Sequence, residues 1–95
     1  MQVNLLSAVV ATGAGTPYQI ERGRYSFIIN STGVTIGATI AIQTKMSNGT
    51  WINVDSRNYA VTGSVVLNYN GPLNWIRANI TSWTDGTHTV DCIAV

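Results

Sequence analysis

Ala38-Thr39-Ile40-Ala41-Ile42-Gln43-Thr44-Lys45-Met46-Ser47-Asn48-Gly49-Thr50-Trp51-Ile52-Asn53-Val54-Asp55 decides the fold class of this chain. Ala38, Ile40 and Ile42 alternate with Thr39, Ala41 and Gln43, the period of a strand with two different faces. Ser47-Asn48-Gly49-Thr50 interrupts the run, and Asn-Gly supplies the positive φ angles that a tight hairpin turn needs. Alternation resumes beyond it, with Trp51, Asn53 and Asp55 opposite Ile52 and Val54. The stretch reads as a β-hairpin.

The same period extends outward in both directions. Toward the N-terminus, Tyr25, Phe27 and Ile29 alternate with Arg24, Ser26, Ile28 and Asn30, and Ser31-Thr32-Gly33 makes a turn. Residues 2–11 form a first strand, apolar enough to pack on both faces, ending at Gly13-Ala14-Gly15. Pro17 marks 16–20 as an edge segment or strand beginning, because it lacks an N–H. Glu21-Arg22-Gly23 turns the chain. Toward the C-terminus, Val65-Val66-Leu67 leads to a turn at Asn70-Gly71-Pro72. Trp75 then lies with Leu73 and Arg77, opposite Asn74, Ile76, Ala78 and Ile80. Asp85-Gly86 is a second hairpin turn, after which Val90, Cys92 and Ala94 share a face. No window carries a helical period. About seven to eight short strands with Gly-rich turns predict an all-β chain: a single antiparallel β-sandwich, jelly-roll-like, or a small barrel. Residues 1–95 form one domain, with no linker or repeat.

Composition narrows the function. Charged residues make up only 9% of the chain, against about 25% in an ordinary soluble protein. Thr, Ser, Asn and Gly must cover the solvent faces. Such a surface desolvates cheaply and is either buried against other protein copies or simply a neutral, hydroxyl-rich exterior. The basic residues Arg22, Arg24, Lys45, Arg57 and Arg77 are scattered and the net charge is +1, so nucleic acid is not an expected partner. Cys92 is the one cysteine. It can form no internal disulfide, and in an alternating run it reads as a buried structural thiol. No basic leader opens the chain, and no apolar run approaches the ~20 residues that span a bilayer. The sequons at Asn30, Asn48 and Asn79 read as chance in so Asn- and Thr-rich a chain. No membrane partner is expected, and synthesis in a cytoplasm is.

Chemistry is sparse. His88 sits just past the turn, where solvent is the expected neighbour, and it lies about 13 Å along a strand from Cys92. Nucleophilic catalysis needs nucleophile, base and orienting group within hydrogen-bond reach. Glu21, Asp55, Asp85 and Asp91, the carboxylates available for glycoside cleavage, fall at turns and strand ends. Asp55 and Asp85 form no dense calcium loop, and Gly13-Ala14-Gly15 leads into Pro17 rather than a phosphate-binding helix. The expectation is no catalytic, cofactor or metal site, and no enzyme. Among the aromatics, Tyr25 and Trp75 are expected in the core. Trp51, directly after a turn, and Trp83, in a Ser-Trp-Thr loop, are the expected contact residues.

Leu5-Leu6-Ser7-Ala8-Val9-Val10-Ala11-Thr12-Gly13-Ala14-Gly15, Gly23-Arg24-Tyr25-Ser26-Phe27, Gly37-Ala38-Thr39-Ile40-Ala41-Ile42-Gln43 and Gly49-Thr50-Trp51-Ile52-Asn53-Val54-Asp55 follow one another in a familiar order. In this the chain resembles small proteins encoded among the structural genes of tailed bacteriophages, some of which decorate the capsid. The resemblance spans nearly the whole chain and carries over no functional residue. It implies a virion structural protein, a capsid decoration or cement protein made in the host cytoplasm and mounted on the capsid surface. Its partners would be its own copies, as a homotrimer first and a dimer next, and the major capsid protein or another virion protein. Residues 1–11 are the expected inter-subunit strand, since an unprotected edge invites strand addition. The alternative is a carbohydrate- or receptor-binding module of a phage tail or head fibre, presenting Trp51 and Trp83. A small hydrolase dependent on His88 comes last.

Overall fold

The computed structural model describes residues 1–94, with all their side chains except those of 21, 22 and 71–73. The Glu21 carboxyl and the turns expected at Glu21-Arg22-Gly23 and Asn70-Gly71-Pro72 lie outside the described residues. Five extended segments follow one another: β1 (Gln2–Val9), β2 (Gly13–Ala14), β3 (Tyr18–Lys45), β4 (Trp51–Tyr59) and β5 (Gly63–Ala94). No helix is present among the described residues.

The register shows that β3 and β5 are long paths folded into arms. Along 24–31, partners descend from Asn70 to Gly63 on one side, and from Ala94 to His88 over 25–31 on the other. Along 37–44 they descend from Asp85 to Ile76, while β4 flanks the opposite side from Ala38↔Tyr59 to Lys45↔Trp51. Partner numbers that fall as residue numbers rise define antiparallel pairing throughout. Seven long arms result: β1, 24–32, 37–45, β4, 63–70, 74–85 and 87–94.

These arms sort into two halves. One runs β1, 87–94, 24–32, 63–70; the other runs β2 with 18–19, then 74–85, 37–45 and β4. Apart from the steps from β2 to 18–19 and from 37–45 to β4, which stay within one half, the chain crosses between halves at each connection, the jelly-roll order. Among the described residues no ladder joins β1 or 63–70 to β2 or β4. The sheet is folded over but not closed into a barrel.

Each half turns one face inward. Leu5, Tyr25, Phe27, Ile29, Leu67, Val90, Cys92 and Ala94 from the first half join Ile20, Ala38, Ile40, Ile42, Tyr59, Ile76, Ala78 and Ile80 from the second in one buried cluster. The shortest axis of the molecule, 18 Å, fits two sheets packed about 10 Å apart. Removal of this apolar area from water is the main stabilising term. Phe27 meets Tyr69 edge-on at 5.7 Å between ring centroids.

Local chemistry explains the turns. Gly49 takes φ 90°, and Met46 N–H donates to Thr50 O while Gly49 N–H donates to Met46 O, at 2.8 and 2.9 Å. Gly15 is needed for a different reason, close approach: a Cβ there would collide with the Leu5 carbonyl oxygen. Its N–H donates to Ala78 O at 2.8 Å, tying the crossing strand to both halves.

Three expectations are corrected. His88 is fully buried rather than solvated, because it shares the inward parity of Val90, Cys92 and Ala94. Trp75 is half-buried on the outer face instead of in the core, since Ile76, Ala78 and Ile80 take the inward positions. The even alternation of Trp51, Asn53 and Asp55 also fails. Ile42 pairs with Asp55 but Gln43 pairs with Asn53, so Val54 is an unmatched bulge residue. One extra residue inverts every side chain beyond it.

Candidate functional site

That bulge builds the most chemically distinctive surface of the molecule. Cross-strand partners point to the same side of a sheet. Lys45 therefore projects outward with its partner Trp51, and Gln43 with its partner Asn53. On the other flank Gln43 pairs with Arg77, and Trp75 lies one outward position along. Lys45 Nζ is 5.8 Å from the Trp51 ring centroid and 4.9 Å from that of Trp75. Arg77 Cζ lies 4.3 Å over the Trp51 ring. Each such contact contributes about 0.5–1 kcal/mol when exposed.

Amides lock the arrangement. Arg77 Nε donates to Gln43 Oε1 at 2.7 Å, and Gln43 Nε2 donates to Asn53 Oδ1 at 2.9 Å. Thr44 Oγ1 donates to Trp75 O at 2.8 Å from the neighbouring arm. Lys45 and Arg77 form no ion pair among the described residues. Asp55, turned to the other side by the bulge, instead accepts Arg57 Nε at 3.1 and 3.2 Å. The Asp55 carboxylate, through that bond first and its charge second, holds the Arg57 guanidinium above its ordinary range. Burial and then Asp55 raise the Tyr69 phenol, and burial is the main cause raising that of Tyr59. The outer face thus offers aromatic rings, amides and two cations side by side.

The residues singled out for catalysis do not converge. His88 Nε2 donates to Asp85 O at 3.1 Å, and its Nδ1 accepts the Ser31 hydroxyl at 2.8 Å. The carbonyl can only accept, which assigns the tautomer. Both ring nitrogens are occupied. Asp91 faces outward and accepts Asn4 Nδ2 at 2.8 Å, while Asp85 is exposed at the turn. Among the described residues no three His, Cys, Asp or Glu side chains group in a way that could hold a metal.

Cys92 is completely buried, and desolvation pushes its thiol up to about 11. Iodoacetamide at pH 8 is expected to leave Cys92 unmodified in the native protein and to label it fully in urea, as read by intact mass. A thiol raised on folding favours the native state below its unfolded pKa, and that advantage fades as pH rises from about 9 toward about 11. Rapid labelling under native conditions would contradict the buried placement.

The expected contact pair is not brought together. Trp83 pairs with Ala38, whose side chain points inward, and Trp83 Nε1 donates to Gly86 O at 2.9 Å. Trp51 pairs with Lys45, seven residues along the same arm and on the opposite face, about 23 Å away at strand rise. Trp75, Lys45, Arg77 and Gln43 are the companions of Trp51. Alternation alone puts Trp75 and Arg77 on one face; their meeting with Lys45 and Trp51 depends on the register of 37–45 with its two neighbours.

These features define an open jelly-roll β-sandwich with one aromatic, cationic outer face and one nearly neutral outer face. Its fold is similar to that in the crystal structure of SPBc2 prophage-derived protein YomS, with a TM-score of 0.69 and 14% sequence identity over 99% of this chain and 90% of that chain. At that identity the likeness is one of fold. No protein-family model and no curated protein matches the sequence.

Proposed function

We propose that this chain is a bacteriophage virion structural protein, a capsid decoration protein that binds the shell as a homo-oligomer and catalyses no reaction. The observation that carries the reading is the outer face of the first half. There Asn4, Asp91, Ile28 and Val66 form one row across the strands, flanked by rows of Ile93, Ser26 and Asn68 and of Thr89, Asn30 and Ser64. Asp91 is the one acidic side chain in these rows, and Asn4 already donates to it. Ser26 Oγ donates to Asn68 Oδ1 at 2.7 Å and Ser64 Oγ donates to Asn30 Oδ1 at 2.8 Å, so the polar groups are largely satisfied within the face. Such a flat face loses little on desolvation and centres on Ile28, Val66 and Ile93, the composition of an interface core. A fold similar to that of a prophage-derived protein supports the same setting. Major capsid protein or another virion protein is the partner, the capsid surface the location, and the host cytoplasm the site of synthesis.

Purified protein is expected to co-sediment with shells that lack it. Ile28→Glu should weaken that binding about 30-fold or more, as for a buried interface centre. Absence of binding to shells and to every other virion part sinks the role. A carbohydrate-binding reading draws on the Trp51, Lys45 and Trp75 row. It predicts a glycan-array signal, and quenching of tryptophan fluorescence, that Trp51→Ala removes while Ile28→Glu does not.

A further inference from the structure

A folded sheet that is not closed leaves strand edges, and each edge is a row of backbone groups able to pair with another chain. Here the two halves have four: β1, 63–70, β2 with the adjoining start of β3, and β4. Three carry the features that discourage pairing. β1 slips register between Asn4 and Leu6 and again between Leu6 and Val9, has Ala8 at φ 49°, and turns its Asn4 amide onto Leu6 O. β2 is two residues long and is followed by Pro17. β4 bulges at Val54 and carries the Asp55–Arg57 ion pair.

The fourth edge has none of them. From Asn70 back to Gly63, each residue pairs in turn with one from Arg24 to Ser31, eight pairs without a skipped residue. Gly63-Ser64-Val65-Val66-Leu67-Asn68-Tyr69-Asn70 holds no charge and no proline. Its outer side chains, Ser64, Val66 and Asn68, are exposed, Val66 to 56%. Side-chain bonds from Ser26 to Asn68 and from Ser64 to Asn30, with Thr62 Oγ1 to Gly33 O at 2.9 Å, hold the arm against its inner neighbour. The edge is regular in register and already in the geometry of a strand template.

We infer that residues 63–70 are a pairing edge for a second copy of this chain, joining two sandwiches across a two-fold axis. A two-fold axis sets the strand antiparallel to itself, so every residue meets a residue of the same short segment. A charged edge would oppose like charge to like charge in that arrangement, and this one has none to oppose. With Val66 on the axis, so that paired side chains share a face, residues 63–69 meet their mates and form about six to eight inter-strand hydrogen bonds, and the outer faces of both copies merge into one continuous sheet. This deepens the proposed decoration role and rests on it only for its biological setting. It makes the dimer, the second choice from sequence, the assembly that the strand edges favour.

Sedimentation equilibrium of the purified protein tests the edge without any shell. The wild-type chain is expected to be a dimer, Val66→Lys to weaken it about tenfold or more by placing lysines across the axis, and Val66→Thr to leave it intact. Val66→Cys should form a disulfide-linked dimer on mild oxidation, whereas Ile28→Cys, on the same face but one arm inward, should not. A wild-type monomer, or a Val66→Lys dimer as tight as the wild type in a protein with unchanged circular dichroism, overturns the inference. Shell binding is read separately. A monomer that binds shells refutes the edge and spares the role, and a dimer that ignores shells does the reverse.

Discussion

Phe27→Ala is expected to cost about 3–5 kcal/mol of unfolding free energy, the range for removing a buried aromatic ring. Phe27 is fully buried on an inner arm of the first half, between Leu67 on one neighbouring arm and Cys92 on the other. It also meets Tyr69 edge-on, so the substitution removes a specific aromatic contact as well as area. Both its neighbours are backbone-paired to it, so the walls of the void cannot easily close. Domains of this size hold about 5–15 kcal/mol in total, and the thermal midpoint should fall on the order of 20 °C. Val34→Ala, at a fully exposed turn position, is the control and should change little. Urea unfolding of both variants settles the matter. A Phe27→Ala loss below about 1 kcal/mol would be incompatible with a core centred on this arm.

His88→Ala carries the second large effect, and its sign separates a structural histidine from a catalytic one. The ring is fully buried, and Ser31, at 1% exposure, has its hydroxyl bonded to Nδ1. Truncation leaves that hydroxyl and the Asp85 carbonyl without their partner and opens a cavity, together costing about 3 kcal/mol. Ser31→Ala alone should cost about 1 kcal/mol, and the double variant less than the sum, because each single change strands a polar group that the double change removes. Gly86 belongs to the same unit: it adopts φ 97°, and a Cβ there would press on the His88 ring and the Ile36 methyl. A His88→Ala protein as stable as the wild type would leave the imidazole free for other work and overturn this assignment.

Several elements are legible in the sequence alone. Tyr25, Phe27 and Ile29 lie inward with Val90, Cys92 and Ala94, as their spacing required, because side-chain alternation is a local property of an extended chain. The Asn48-Gly49 turn followed from the φ that glycine tolerates. His88 has the parity of Cys92, and its nearness to the turn is no guide to exposure, because it lies buried with Ser31. The lesson there is that a turn at Asp85-Gly86 which curls over the sandwich end can cover the residues that follow it.

The outer face was a different matter. Trp51 and Trp83 looked equivalent by their turn positions, yet one faces out beside Lys45 and the other faces in beside Ala38. Nothing in either residue's neighbourhood distinguishes them.

Sequence by itself determined that the chain is all-β, that Tyr25, Phe27 and Ile29 share one face and Val90, Cys92 and Ala94 another, where the hairpin between the third and fourth segments turns, and how little charge the chain carries. Tertiary structure alone decided which arms adjoin, where the bulge at Val54 inverts the face, that Trp51, Lys45, Trp75 and Arg77 share one surface, and that 63–70 is an edge without guards. Alternation is written residue by residue, whereas register and edge status depend on partners tens of residues away, whose pairing is set by closing the whole core at once.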